Sequence, residues 1–375
     1  MATDAATTPL ELESASPDVK RYQRLKITVI TVNAILSIGW MALLALVAGP
    51  ALAEDTASWG KDWGWARLLV SAAVLGVTLE LLTLPLDYYS GFVLEHQFHL
   101  SNQTFAAWLW KRFKGYAVGG TLGLALIFGL YWVLWVAGEY WWLAATGWLA
   151  VTLVLGRLLP VVILPIFYKV TPLENASLID RLKKLTEGTS LTIQGVYELH
   201  LSEETKKANA ALAGLGNSRR VLLGDTLLQQ FTPEEIEVVF AHEVGHHVHR
   251  HLIKSIALSV VLSFAGFGLA HLVLSNAAIW LGYSGFNDPC ALPLLLLVLT
   301  LFGLSLSPMQ NALSRFFERQ CDRYALERTQ NKDAYRSAFI KLAKINKSDP
   351  DPHPLVALLF YDHPPIRERL AMAGN

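Results

Sequence analysis

Charge is scarce in this sequence. Aspartate, glutamate, lysine and arginine make up 17% of the 375 residues, against about 25% in a typical soluble domain. The 31 basic residues balance the 31 acidic ones, so there is no electrostatic footprint for nucleic acid. Two cysteines, Cys290 and Cys321, are too few for a disulfide framework. The first 19 residues contain neither an apolar core nor a cleavage site. That argues against a removable secretory signal and leaves the first apolar segment as an anchor. No internal repeat or low-complexity segment is visible.

Apolar residues, by contrast, reach 53%. A helix needs about 20 of them in succession to cross a bilayer, and six spans are expected: Thr28–Leu52, Ala66–Leu86, Tyr116–Ala137, Tyr140–Phe167, Leu252–Leu274 and Ala291–Leu306. The third and fourth join through a very short turn around Gly138 and Glu139, and a seventh, partly embedded helix has room. Lys20, Arg21, Arg24 and Lys26 precede the first span, and Lys111, Arg112 and Lys114 precede the third. Most other basic residues fall in 168–251 and 309–375, whereas the expected outer loops keep only Lys61 and Arg67. This bias predicts cytoplasmic N- and C-termini. The chain accordingly divides into a polar tail (1–27), a four-helix membrane region (28–167) with a cytoplasmic loop (87–115), a first polar block (168–251), a transmembrane hairpin (252–308) and a second polar block (309–375).

The chemistry-bearing residues concentrate in the two polar blocks. Thr171–Lys184 is expected as an amphipathic helix, Leu191–His200 and Arg220–Leu223 as strands, and Asn209–Gly216 as a strand with a glycine-rich turn. Thr232-Pro233-Glu234-Glu235 reads as a helix start: a capping threonine, a proline at the first position and a glutamate that completes a capping box. The helix so started carries His242-Glu243-Val244-Gly245-His246. Histidines four apart share a helical face and can bind one zinc ion, with Glu243 beside them. A helix of surface histidines near lipid headgroups is the bland alternative, and His247, His249 and His251 lend it some weight. Asn311–Ala325 reads as a second helix, with Arg315, Glu318 and Asp322 on one face. Glu318 is a candidate third ligand and Asp322 a candidate partner for a ligand histidine; a solvated helix with ordinary ion pairs remains open. Two spans separate the histidine helix from this one, so both return to the same membrane face.

At these residues the sequence resembles the CaaX prenyl protease type I family of membrane zinc metalloproteases. The pattern N-x-x-S-R-x-x-E-x-x-x-D-x-x-A runs from Asn311 to Ala325, and a C-terminal H-P-[PS]-x-x-x-R signature from His363 to Arg369. A family-like loop covers Gly91–Thr104, and the similarity extends from about residue 75 to the C-terminal tail. The resemblance implies a mainly α, polytopic membrane protein. Its six to seven transmembrane helices would surround a chamber, with a zincin-like cytoplasmic catalytic domain containing a small β-sheet. It implies one zinc ion on His242, His246 and Glu318, with Glu243 as general base and His363 as oxyanion partner. Asp322, Arg369, Arg315 and Asn311 would organise the ligands, and Asn209-Ala210 would pair with an extended substrate.

The implied partners are a peptide or protein substrate, prenylated or not, and membrane lipid. Glu80 and Arg157 would line the chamber or form an interhelical pair. His96 and His99 read as structural loop residues, and His271 as a hydrogen-bonded core histidine. Competing readings are an HtpX-like quality-control protease and a non-catalytic zinc-containing scaffold. The C-terminus lacks a dilysine retrieval signal, which points to a bacterial plasma-membrane homologue.

Overall fold

The computed structural model describes residues 16–60, 63–156, 159–214 and 219–374. Lys61, Arg157 and Gly216, singled out above, lie outside the described residues, as does most of the polar tail. The chain becomes helical at Pro17, earlier than the first span suggested, because Ser16 caps Val19 N–H and proline suits the first turn. Helix α1 (Pro17–Leu43) continues through a π turn (Leu44–Ala48) into α2 (Gly49–Asp55). Helix α3 (Gly64–Tyr88) likewise runs through a π turn into α4 (Leu94–Gln97).

Most of the expected loop 87–115 is therefore helical. Its irregular part is short, because Thr104 caps α5 (Phe105–Ala137) by accepting from Ala107 N–H. Helix α5 ends where Gly138 adopts a φ of +54°, a left-handed turn that favours glycine. The chain then doubles back as α6 (Trp141–Gly156), followed by α7 (Leu159–Phe167).

Among the described residues, five helical runs are long and apolar enough to cross a membrane: Pro17–Trp59, Gly64–Gln97, Phe105–Gly156, His251–Ala277 and Pro289–Thr329. The third is the α5–α6 hairpin, so the runs contain six helical passes. They pack most closely at the end remote from the polar blocks. There Leu68, Tyr131, Trp141, Ala270 and Leu292 are fully buried, and Arg67 pairs with the buried Asp288 at 3.1 Å. Nearer the polar blocks the packing loosens: a Cβ on Gly119, Gly120 or Gly123 of α5 would meet nothing within 4 Å. Glu80 forms an interhelical ion pair, with Arg112 at 2.5 Å. His271 accepts a hydrogen bond from Trp141 Nε1 at 3.1 Å.

The remaining elements build a small domain. Strand β1 (Val170–Pro172) precedes α8 (Ala176–Thr186), β2 (Ile193–Leu199), β3 (Ala210–Ala213), β4 (Arg219–Gly224), α9 (Asp225–Gln230) and α10 (Pro233–Val248). The expected amphipathic helix starts later than Thr171. Residues 170–172 pair with β2 instead, and Asn175 caps α8 through Leu178 N–H. The sheet order is β1-β2-β4-β3; β2 and β4 run parallel and the other neighbours antiparallel. Strand β3 is thus an edge strand.

The capping box forms as expected: Thr232 accepts from Glu235 N–H and Glu235 from Thr232 N–H. The buried Glu235 carboxylate is also paired with Lys341 at 2.7 Å. Helix α10 does not run into the next span. Arg250 takes a left-handed φ of +56° and turns the chain into α11 (His251–Ala277).

Helix α12 (Leu292–Thr329) unites the sixth span with the expected separate Glu318 helix in 38 residues. At 1.5 Å per residue, Glu318 stands about 39 Å along the axis from Leu292, beyond a hydrocarbon core of about 30 Å. Helices α13 (Lys332–Ile345), α14 (Pro354–Phe360) and α15 (Ile366–Met372) complete the domain. Its core joins α8, the sheet, α10 and α13 through Leu182, Leu223, Val238, Phe240, Tyr335 and Ile340.

Candidate metal centre and active site

Two helices meet to form the site. Gly245 allows the meeting, because a Cβ there would lie 3.0 Å from Cys321 Cα on α12. Close approach brings His242 and His246 of α10 against Glu318. His242 Nε2 is 3.1 Å from Glu318 Oε2, and His246 Nε2 is 3.2 Å from Oε1. The other nitrogens are occupied elsewhere. His242 Nδ1 lies 2.9 Å from Asp322 Oδ1, and His246 Nδ1 lies 3.2 Å from His251 Nδ1. A proton on each Nδ1 leaves both Nε2 lone pairs facing Glu318, which is the arrangement a metal ligand needs. Glu318 is itself buried, and with the His242 and His246 Nε2 atoms bare its Oε2 is left without a donor. Buried acceptors without donors are rare and costly, and a cation among these three side chains would satisfy all of them. The residues present therefore fit a divalent metal of the zinc type, for which two imidazoles and a carboxylate are a common set.

Electrostatics agree with the geometry. Burial opposes a charge on His242, yet Asp322 and Glu318 outweigh it and raise its pKa to about 9. The cluster thus draws positive charge, as a proton or as a metal ion. Asp322 is fully buried and is neutralised by Arg369, which donates from Nε to Oδ2 at 2.9 Å and from Nη2 to Oδ1. Arg369 is buried on α15 with its guanidinium 3.9 Å from the centre of the Phe339 ring.

His363 reaches the same centre, with Nε2 3.4 Å from Glu318 Oε2 and Nδ1 2.8 Å from Asp362 Oδ1. The Asp362 carboxylate raises its pKa against burial, and the ring remains about half exposed. Glu243 lines two cavities, of about 1030 and 500 Å3. Among the described residues no hydrogen bond ties its carboxylate down.

Asn311 and Arg315 sit differently from the expectation. Neither hydrogen-bonds a candidate ligand among the described residues. Asn311 donates to Leu359 O at 2.8 Å, and Arg315 donates to Ala357 O and Tyr361 O. Both therefore hold the backbone of the arm that presents His363. Asn209 and Ala210 line the smaller cavity together with His242, Glu243 and His363, whereas Leu212 and Ala213 line the larger one. Asn209 O accepts from Gly224 N–H at the start of β3.

Two further groups were not legible as ligand sets. Cys321 Sγ lies within 4.8 Å of the ligand nitrogens of His242 and His246, but it is fully buried and sits 3.5 Å from His251 Nδ1. Glu198, His200 and Asp225 also cluster. Asp225, however, already accepts from the backbone N–H groups of Leu201, Ser202 and Thr226 and from Ser202 Oγ, so it closes a turn. Gly245 and His251, which the histidine motif left unassigned, carry most of the added information.

The chain matches known families along most of its length. Residues 172–374 match peptidase family M48, and residues 13–169 match the CAAX prenyl protease N-terminal family, described as five membrane helices. The match thus begins well upstream of the motifs that carried the resemblance. The chain is 31% identical over 307 residues to the uncharacterized metalloprotease YhfN of Bacillus subtilis, covering 80% of this chain and 71% of that one. It is 30% identical over 302 residues to a CAAX prenyl protease 1 homolog of Arabidopsis thaliana, covering 78% and 69%. The fold matches S. mikatae Ste24p with a TM-score of 0.73 at 22% identity, over 96% of this chain and 100% of that one. A match to the prenyl protease N-terminal family does not favour the quality-control or scaffold alternatives. The chain belongs to peptidase family M48 and is a membrane metalloendopeptidase.

Proposed function

We propose that His242, His246 and Glu318 hold one zinc ion, and that the enzyme cleaves peptides at the cytoplasmic membrane surface. The observation that carries this reading is the convergence of His242 Nε2 and His246 Nε2 on the buried Glu318 carboxylate, at 3.1 and 3.2 Å. Zinc held there would supply Lewis acidity, polarising a peptide carbonyl and lowering the pKa of water towards about 7.

Glu243 acts as the general base. Its untethered carboxylate stands where the two cavities meet, so it can take the proton of the attacking water and return it to the leaving amine. His363 donates from Nε2 to the carbonyl oxygen as negative charge develops there. Its Nδ1 is held by Asp362, and Arg315 holds the preceding backbone at Ala357 O and Tyr361 O. Asp322 fixes the tautomer of His242, and Arg369 prevents Asp322 from standing as an isolated buried charge.

A substrate adds to the outer edge of β3 as an extended strand beside Asn209 and Ala210, pairing with the backbone of Ala210, since Asn209 O is already taken by Gly224 N–H. Running along β3, it passes from the smaller cavity across Glu243 into the larger one. Leu252, Ile253 and Phe317 make that larger cavity apolar at its membrane end, which suits a lipidated peptide. The distribution of basic residues and the bacterial relative support a bacterial plasma membrane with both termini and the site in the cytoplasm.

The test is cleavage of a farnesylated CaaX peptide beside its unlipidated twin by zinc-loaded protein. Higher kcat/KM for the farnesylated peptide is expected. If the zinc-loaded protein cuts neither peptide, the substrate class is wrong.

A further inference from the structure

The ligand histidines are oriented by unlike partners. His242 has the usual carboxylate, Asp322, whereas no carboxylate reaches His246 Nδ1 among the described residues. What reaches it is another imidazole: His251 Nδ1 at 3.2 Å. Two facing ring nitrogens make a hydrogen bond only if one is protonated and the other is bare. The far side of His251 decides which. Its Nε2 lies 2.8 Å from Gln320 Oε1, an acceptor, and therefore carries the proton. In the neutral ring Nδ1 is then bare, so it accepts from His246 Nδ1–H, and the lone pair of His246 Nε2 is left facing Glu318.

We infer that His251, set by Gln320, is the positioning residue that holds His246 in its metal-binding tautomer and orientation. This inference rests on the proposed zinc site.

The surroundings of His251 are built to fix it. The ring is 3% exposed and stacks on Phe317 at 4.2 Å with an interplanar angle of 13°. Its backbone starts α11 immediately after Arg250, which holds a left-handed φ of +56°. A non-glycine residue keeps such a conformation only where its surroundings impose it. Without that turn α10 would continue straight, and residue 251 would point away from the centre. Gln320 lies on α12 two residues beyond Glu318, so the helix that supplies the carboxylate also sets the partner of His246.

The experiment measures zinc affinity by chelator competition on full-length protein, with thermal midpoints of the metal-free and zinc-loaded forms. His251→Phe keeps the stack on Phe317 and removes the acceptor; His251→Asn restores an acceptor near the Nδ1 position. Gln320→Leu breaks the outer link while leaving His251 in place. His251→Phe is expected to weaken zinc by about 10–100-fold, the usual effect of losing such an outer partner. Gln320→Leu should weaken it in the same direction and His251→Asn should recover most of the loss. The metal-free midpoints should match wild type, and only the zinc-induced rise should shrink. Wild-type affinity in His251→Phe, or an equal fall in both midpoints for all three variants, overturns the positioning role alone. A wild-type protein that binds no zinc overturns this inference together with the site it rests on.

Discussion

At the residue scale, the proposed centre rests on what each ligand nitrogen faces. The His242 and His246 Nδ1 atoms are committed to Asp322 and His251, which leaves Glu318 and two Nε2 atoms to share a cation. Cys321 is the rival third ligand by proximity. Its thiol is buried beside His251 without a cation to stabilise a thiolate, whereas a carboxylate ligand needs no such help. Glu318→Gln should therefore lose zinc affinity by more than the roughly 10–100-fold expected for an outer partner, while Cys321→Ser should retain one zinc per chain. Metal analysis after dialysis separates them; loss of zinc from Cys321→Ser alone would reassign the ligand. His242 and His246 were legible as a pair because helical spacing puts them on one face, with Glu243 beside them. Asn311 and Arg315 were not, since their partners are carbonyl groups 42 to 48 residues away in sequence.

At the scale of elements, local signals read well and tertiary ones did not. The start of α10 was visible in Thr232 and Glu235 because a capping box is made within one turn. The turn at Arg250 was invisible, since no glycine marks it and its conformation is imposed by packing. Strand β1 was also hidden, as three residues carry no period of their own and become a strand only by pairing with β2. The continuity of α12 through Pro308 was masked by the change from apolar to charged composition.

The α10–α12 contact gives a prediction at this scale. Gly245→Ala should cost about 1–3 kcal/mol by overpacking against Cys321. Gly123→Ala, which meets nothing within 4 Å on α5, should be neutral or stabilising by up to about 1 kcal/mol. Thermal unfolding in detergent checks both; equal effects would mean that the helices do not need glycine at their crossing.

For the whole molecule, the membrane helices and the protease domain interlock. The segment between α4 and α5 bridges to the domain through a Ser101–Thr205 pairing, and Lys207 joins Glu95 and Tyr22 of the membrane helices. The apolar segments and the short turn at Gly138 were legible from hydropathy, although six separate spans were expected where five long helical runs stand among the described residues. The loosened packing near the polar blocks was not, since it depends on how helices diverge in space. A cytoplasmic site predicts that single cysteines introduced at exposed Asp351 and Trp280, in a protein lacking the native two, label from opposite sides. Position 351 should react only after the membrane is permeabilised, and position 280 in intact cells. The reverse pattern would invert the proposed topology.

Glu243 is proposed to move protons at a metal centre it does not help to bind. The most direct test is zinc content and peptide turnover measured on the same preparations of wild type and Glu243→Gln. One zinc per chain is expected in both, with turnover reduced by about 10²–10⁴-fold or more in the variant. A zinc-loaded Glu243→Gln protein that turns over at the wild-type rate would contradict that role.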